Sequence, residues 1–160
     1  MCRLKYYTIS QNFGWHLSGA TAFAFLVLGA ISFGYGLKLM EYAEKKDITP
    51  IFAGVPMLFA GVFGAAVTLS RKKWAVTCHA IMCVIVSMLS IHMNYRFMVK
   101  EFSIIPLYRR QCQSEPGTDN HHCNQYSGTI MLCCVSVSMI PVTLAALLSC
   151  LIAYKTLKKT

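Results

Sequence analysis

The sequence predicts an all-α protein built as a four-helix transmembrane bundle. Hydrophobic residues make up 56% of the chain and charged residues only 13%, whereas roughly 25% of the residues in an ordinary globular domain are charged. The few charges are also clustered, and they leave four long stretches of the chain without Asp, Glu, Lys or Arg. These two observations favour a membrane protein over a soluble domain.

The charge-free stretches have the length of membrane-spanning helices. Three of them include the segments Leu17–Leu37, Pro50–Ser70 and Trp74–Tyr95, which contain 21, 21 and 22 residues. A helix needs about 20 residues to cross a hydrocarbon core of about 30 Å. Hydrocarbon offers no hydrogen bonds to the backbone, so each stretch should be helical. A soluble bundle would need a polar face on every helix, which these stretches lack. We therefore predict one four-span domain over residues 1–160, with spans at Leu17–Leu37, Ile51–Leu69, Trp74–Tyr95 and Thr129–Tyr154.

The positions of the charges predict the orientation of the bundle. The N-terminus, the second connection and the C-terminus share one side, which holds eight basic residues. The other side holds seven, spread over nearly twice as many residues, and it also holds all six acids. Short basic loops remain in the cytoplasm, so both termini are predicted to be cytoplasmic and the loop 96–128 to be outside or luminal. The bilayer and its headgroups, rather than nucleic acid, are the expected partner of the basic residues. The expected location is the plasma membrane or an endomembrane of the secretory pathway.

The loop 96–128 between spans three and four contains two cysteines, Cys112 and Cys123. We predict that they form a disulfide, which would stabilise the fold by about 3 kcal/mol on the chain-entropy model and would persist in an oxidising compartment. Two free thiols are the alternative. A zinc or copper site with His121 and His122 is a further alternative, but oxidation would remove its thiolate ligands, so we expect no metal.

Small residues predict which spans pack together. Helices in lipid approach closely where their side chains are small, because lipid provides no hydrophobic drive for association. In each of the first two spans, three small residues recur at intervals of seven, which is about two helical turns. We predict that the two spans pack face to face along these residues: Ala22, Gly29 and Gly36 in span one, and Gly54, Gly61 and Thr68 in span two. The alternative is that Gly and Ala are simply common in membrane helices.

The sequence contains no enzymatic motif, and we expect no catalytic activity and no cofactor. No Asp or Glu lies within any span, which argues against a transporter or pump. His79 and His92 in span three are predicted to be hydrogen-bonded residues of the bundle rather than ligands. Cys2, beside Arg3 and Lys5, is a candidate for S-acylation at the cytoplasmic face.

The polar residues of span three and the apolar start of the following loop leave several interpretations open. Ser87, Ser90 and Asn94 would line a pore between protomers or would hold helices together through hydrogen bonds. The apolar segment Phe97–Leu107 would extend span three, lie at the membrane interface, bind a partner or pack against the rest of the loop.

Several local motifs resemble those of a known family. They are Leu28-Gly29-Ala30-Ile31 in span one, Pro50-Ile51-Phe52-Ala53-Gly54 and Ala60-Gly61 in span two, the basic exit Ser70-Arg71-Lys72-Lys73, and the cysteine pair of the outer loop. Together with the layout of four spans and a larger loop before the fourth, they resemble the membrane-spanning four-domains subfamily A, the family of the B-lymphocyte antigen. The Leu-Gly-Ala motif lies later in span one than that family has it, and a MARVEL-type protein is the alternative.

This resemblance implies an oligomeric protein of the cell surface or endosomes. On that basis the expected function is that of a non-enzymatic multi-pass membrane protein that organises or modulates receptor and signalling complexes. The expected partners are copies of the same chain or other membrane proteins. A subunit of an oligomeric ion channel, or a regulator of ion flux, is the second interpretation.

Overall fold

Four long α-helices make up the protein. The computed structural model describes residues 2–42, 48–102, 106, 109–110 and 121–159, and no strand occurs among them. The helices are α1 (Cys2–Tyr42), α2 (Thr49–Ser70), α3 (Lys73–Phe102) and α4 (His121–Lys159). The prediction of an all-α four-helix bundle is confirmed.

All four helices are long and apolar enough to cross a membrane. Large apolar side chains project from the outside of the bundle, and Phe23, Phe59 and Leu69 are 67%, 68% and 85% exposed. Such a surface would drive aggregation in water, but it suits contact with hydrocarbon. The chain is therefore a multi-pass membrane protein. The apolar portions of the helices contain the predicted spans and extend beyond them, over Phe13–Met40, Thr49–Ser70, Lys73–Val99 and Tyr126–Lys158.

The helices form a ring in which each one packs against two neighbours. Helix α1 contacts α2 and α4, and α3 contacts the same two helices. Neighbouring helices run in opposite directions, because one buried cluster joins the early parts of α1 and α3 (Trp15 and Val76) to the late parts of α2 and α4 (Val67 and Cys150). The two ends of the chain therefore lie at the same end of the bundle as the connection between α2 and α3.

The connection between α2 and α3 consists of two residues, Arg71 and Lys72. Arg71 ends α2 in the left-handed conformation, with φ of 52° and ψ of 30°, and its N–H donates to the carbonyl of Val67. This conformation satisfies a carbonyl at the end of the helix. It also turns the chain sharply enough for α3 to begin at Lys73, in agreement with the tight hairpin that the sequence predicts.

The buried side chains form three clusters along the bundle axis. The basic-end cluster, beside the α2–α3 connection, comprises Trp15, Val67, Ala75, Val76, Cys150 and Ala153. The central cluster draws on all four helices and comprises Phe25, Met57, Ala60, Cys83, Val86, Val135, Met139 and Ala146. The opposite-end cluster comprises Tyr35, Leu39, Phe97 and Leu132. Phe97, which begins the apolar segment Phe97–Leu107, is thus part of the bundle, and α3 continues through Phe102.

Candidate functional site

The interior of the bundle contains more polar side chains than its apolar surface suggests. Most of the buried polar residues are hydroxyl-bearing, and they come from α1, α3 and α4. In hydrocarbon such groups need hydrogen-bond partners, because water is absent from the surroundings. The buried polar residues are Ser18, Thr21, Ser32, His79, Ser87, Ser90, Asn94, Thr129, Ser136 and Ser149.

Several of these hydroxyls donate to backbone carbonyls. Ser32 on α1 donates to the carbonyl of Pro50 at 3.0 Å, and Ser90 on α3 donates to the carbonyl of Ala53 at 2.9 Å. Both bonds reach α2 and tie it to its two neighbours. Ser136 donates within α4, to the carbonyl of Leu132. These bonds satisfy the hydroxyl protons and leave oxygen lone pairs available as acceptors.

A hydroxyl pair connects α3 to α4. The oxygens of Ser87 and Thr143 lie 2.5 Å apart, and Thr143 also donates to the carbonyl of Met139. Since Thr143 gives its proton to Met139, Ser87 is the donor in the pair. This hydrogen bond links the two helices at the level of Ser87 and Thr143.

Asn94 lies fully buried on the same face of α3 as Ser87 and Ser90. Neither its Nδ2 nor its Oδ1 has a hydrogen-bond partner in the described part of the protein. A buried amide without a partner is rare in proteins and calls for an explanation. No feature of the sequence distinguishes this asparagine from one that is hydrogen-bonded.

The burial of Ser87, Ser90 and Asn94 corrects one of the two interpretations of span three. Their side chains face the interior of a single bundle, and Ser90 and Asn94 are 0% exposed. Residues in this position cannot line a pore between protomers. The hydrogen bonds of Ser87 and Ser90 match the other interpretation, in which these residues hold helices together.

The two histidines of α3 have different surroundings. His79 is fully buried, with its Nε2 3.5 Å from the sulfur of Cys83 and its ring tilted against that of Phe63. Gly64 provides the space for the imidazole, because a Cβ at that position would lie 2.6 Å from its Cε1. His92 is exposed on the outside of α3, and its role as a hydrogen-bonded residue of the bundle stays a prediction. The 3.6-residue period places positions thirteen apart on different faces.

The structure places the small residues of spans one and two against each other. A Cβ at Gly54 would lie 2.6 Å from the backbone nitrogen of Phe33 and 2.8 Å from the carbonyl oxygen of Gly29. A Cβ at Gly61 would lie 2.9 Å from the carbonyl oxygen of Ala22. Backbone therefore meets backbone along this interface.

The same interface extends to both ends of α2. A Cβ at Gly36 would lie 2.8 Å from the nitrogen of Ile51. At the other end, the hydroxyl oxygens of Thr68 and Ser18 lie 3.2 Å apart. Ala22, Gly29, Gly36, Gly54, Gly61 and Thr68 thus lie at contacts between α1 and α2.

Exposed basic side chains gather at the end of the bundle that contains the α2–α3 connection. Arg71, Lys72 and Lys73 lie in or beside that connection, and Lys155 and Lys158 lie near the end of α4. The guanidinium of Arg71 lies 5.5 Å from the ring centroid of Trp15, within the range of a cation–π contact. No acid of the sequence lies near these residues in the chain. This end of the bundle therefore carries positive charge that no neighbouring acid of the sequence offsets.

Several residues of the sequence prediction lie outside what the structure describes. Cys112 does, and so do the side chains of Cys2, His121 and His122. Cys123 is described, and it does not carry a free thiol. Its pairing with Cys112 and the acylation of Cys2 stay predictions.

The fold and its interior define a four-span membrane protein with a set of polar residues buried inside the bundle. No family model, curated protein or solved structure matches the chain. The resemblance to the membrane-spanning four-domains subfamily A stays a prediction based on the motifs of its spans.

Proposed function

We propose that this chain is a non-enzymatic multi-pass membrane protein that assembles laterally in the bilayer and so organises or modulates receptor and signalling complexes. One observation supports this proposal above the others. Two glycines of α1 face away from the bundle, where nothing in the described protein packs on them. The proposed partners are further copies of the chain or other membrane proteins.

The glycines of the chain divide into two groups. At seven of the nine described glycines, an added Cβ would lie less than 3.0 Å from another atom, so these glycines serve contacts within the bundle. Gly19 and Gly34 have nothing within 4 Å. Glycine lowers the stability of a helix, so its presence at open positions needs a reason other than internal packing.

The surroundings of Gly34 suit a helix–helix contact. Ala30 lies one turn earlier on α1 and is also exposed, which produces a small-xxx-small spacing on the outer face of the helix. Two small residues at this spacing allow a second helix to approach closely in lipid. Val27, which is 41% exposed, continues the face with a larger apolar side chain.

The experiment is to count the protomers of the purified protein in nanodiscs by single-molecule photobleaching. We expect the wild type to form oligomers, or to purify with a defined membrane partner. The Gly34→Leu variant is expected to lose that association without losing thermal stability, since a Cβ at this position has no atom of the described protein within 4 Å. A wild type that is strictly monomeric and without a partner would refute the proposal.

Ala66→Leu provides the matched control. Ala66 is exposed on α2, so the substitution adds a similar volume to a different outer face. We expect it to leave the assembly intact. Loss of assembly in both variants would indicate a nonspecific effect of added bulk and would count against the face around Gly34.

The ion-channel interpretation is the less favoured one. The polar residues that would have lined a conduit between protomers point into the protomer, and the described outer surface carries large apolar side chains instead. Conductance in liposomes that contain the purified protein would reverse this preference.

The proposal includes the features that depend on the predicted orientation. These are cytoplasmic termini, a disulfide between Cys112 and Cys123, and a location in the plasma membrane or the endomembranes of the secretory pathway. The short basic α2–α3 connection supports the orientation, because Lys and Arg in short loops favour the cytoplasmic side. The disulfide and the location follow from that orientation, since disulfides persist in oxidising compartments. The motifs shared with the membrane-spanning four-domains subfamily A support the signalling role.

A further inference from the structure

The amide of Asn94 is the one described side chain that is buried with both of its polar atoms unpaired. We propose that Asn94 anchors a buried water site between the helices, in the half of the bundle that lies away from the α2–α3 connection. The site holds one or two water molecules, which hydrogen-bond to the amide and to nearby serine hydroxyls. This proposal does not depend on lateral assembly.

The hydrogen bonds of α3 to its neighbours show which residues lie at the same height along the bundle axis as Asn94. Thr143 on α4 pairs with Ser87 on α3. Asn94 follows Ser87 by about two turns on α3, and Ser136 precedes Thr143 by about two turns on α4. Because neighbouring helices are antiparallel and rise equally per residue, Asn94 and Ser136 are at the same height. Both are buried.

Two further hydrogen bonds show which residues of α2 and α1 lie at this height. Ser90 on α3 donates to the carbonyl of Ala53 on α2. Because the two helices are antiparallel, one turn forward on α3 to Asn94 corresponds to about one turn back on α2 to Pro50. The carbonyl of Pro50 accepts from Ser32 on α1. Polar groups from all four helices therefore lie at about the same height in the bundle.

The hydrogen-bonding capacity at this level identifies the ligand as water. The hydroxyl protons of Ser32, Ser90 and Ser136 are already donated to carbonyls, so these oxygens offer lone pairs only. The amide of Asn94 offers two N–H donors and an acceptor. A water molecule can accept from the amide and donate to the hydroxyl oxygens, and buried waters typically make about three such bonds. A bare cation would leave the amide N–H groups unpaired.

Radiolytic hydroxyl-radical labelling in ¹⁸O water tests this proposal on the wild-type protein in nanodiscs. Radicals form from the water itself, so a buried methionine is oxidised quickly only if water lies beside it. Met139 lies about one turn from Ser136 on α4, whereas Met57 lies about two turns from Pro50 on α2, and both methionines are 0% exposed. We expect several-fold faster ¹⁸O incorporation at Met139 than at Met57. Equal rates at the two methionines would overturn the proposal.

The Asn94→Leu variant, which has a similar volume and no polar atoms, provides the second comparison. We expect its Met139 to react as slowly as Met57, with the oligomer count unchanged. If this variant does not fold, the two methionines of the wild type still decide the question. Wild-type labelling at Met139 that changes when sodium chloride is replaced by choline chloride would assign the site to a cation and would also overturn the proposal.

Discussion

Gly54 shows at the scale of one residue how α1 and α2 are held together. A Cβ at this position would overlap the backbone nitrogen of Phe33 and the carbonyl of Gly29. Neither is the end of a flexible side chain, so the contact cannot be relieved by a change of rotamer. The close approach of the two helices thus requires glycine here.

Substitution of Gly54 by alanine is expected to destabilise the bundle. Overpacking of a well-packed site costs about 1–3 kcal/mol, and here the helices themselves would have to separate. Thermal unfolding in detergent, followed by a thiol-reactive dye, measures the effect. Gly34→Ala is the control, because no atom lies within 4 Å of its Cβ position. Equal melting temperatures for the two variants would contradict this account of the interface.

Sequence reasoning could predict some residue-level features but not others. The seven-residue spacing of Gly54 and Gly61 predicts one shared face, because seven residues are about two turns. The spacing cannot tell that Gly34, five residues after Gly29 on the same helix, faces outward. Nor can it tell that the amide of Asn94 lacks a partner, because that depends on distances between four helices.

Helices α3 and α4 illustrate the scale of whole elements. The sequence predicts where these helices cross the membrane, since it shows where the charges stop. It does not predict where they end: α3 runs on to Phe102, and α4 begins at His121, eight residues before the predicted span. A helix continues beyond the bilayer wherever its backbone can remain hydrogen-bonded, and polar residues do not prevent that.

The hydrogen bond between Ser87 and Thr143 is expected to couple these two elements energetically. Hydrogen bonds between membrane helices contribute on average about 0.6 kcal/mol. A double-mutant cycle with Ser87→Ala and Thr143→Val, measured by unfolding in mixed micelles, should give a coupling free energy of about that size. Strictly additive effects would mean that this pair does not align α3 with α4.

At the scale of the whole molecule, the distribution of charge predicts the orientation. The structure brings the basic α2–α3 connection and the end of α4 to the same end of the bundle as Trp15. Which side of the membrane this end faces depends on the positive-inside rule. The sequence thus predicts which parts of the chain share one end of the bundle, and the side of the membrane that this end faces stays a prediction.

Glycosylation mapping tests the predicted orientation. The sequence contains no Asn-X-Ser/Thr site, so each introduced site reports on a single location. Pro116→Asn creates the sequence Asn-Gly-Thr in the loop 96–128, and we expect it to be glycosylated. Tyr6→Asn creates Asn-Tyr-Thr at the N-terminus and should remain unmodified. The reverse pattern would show that the bundle has the opposite orientation in the membrane and would contradict the prediction.

The account as a whole depends on the four helices being surrounded by hydrocarbon. The most direct measurement is alkaline carbonate extraction of membranes from cells that express the chain, followed by ultracentrifugation. Carbonate strips peripheral proteins but leaves integral ones in the bilayer, so we predict that the protein remains in the pellet and enters solution only with detergent. Recovery of the protein in the carbonate supernatant would contradict the central claim.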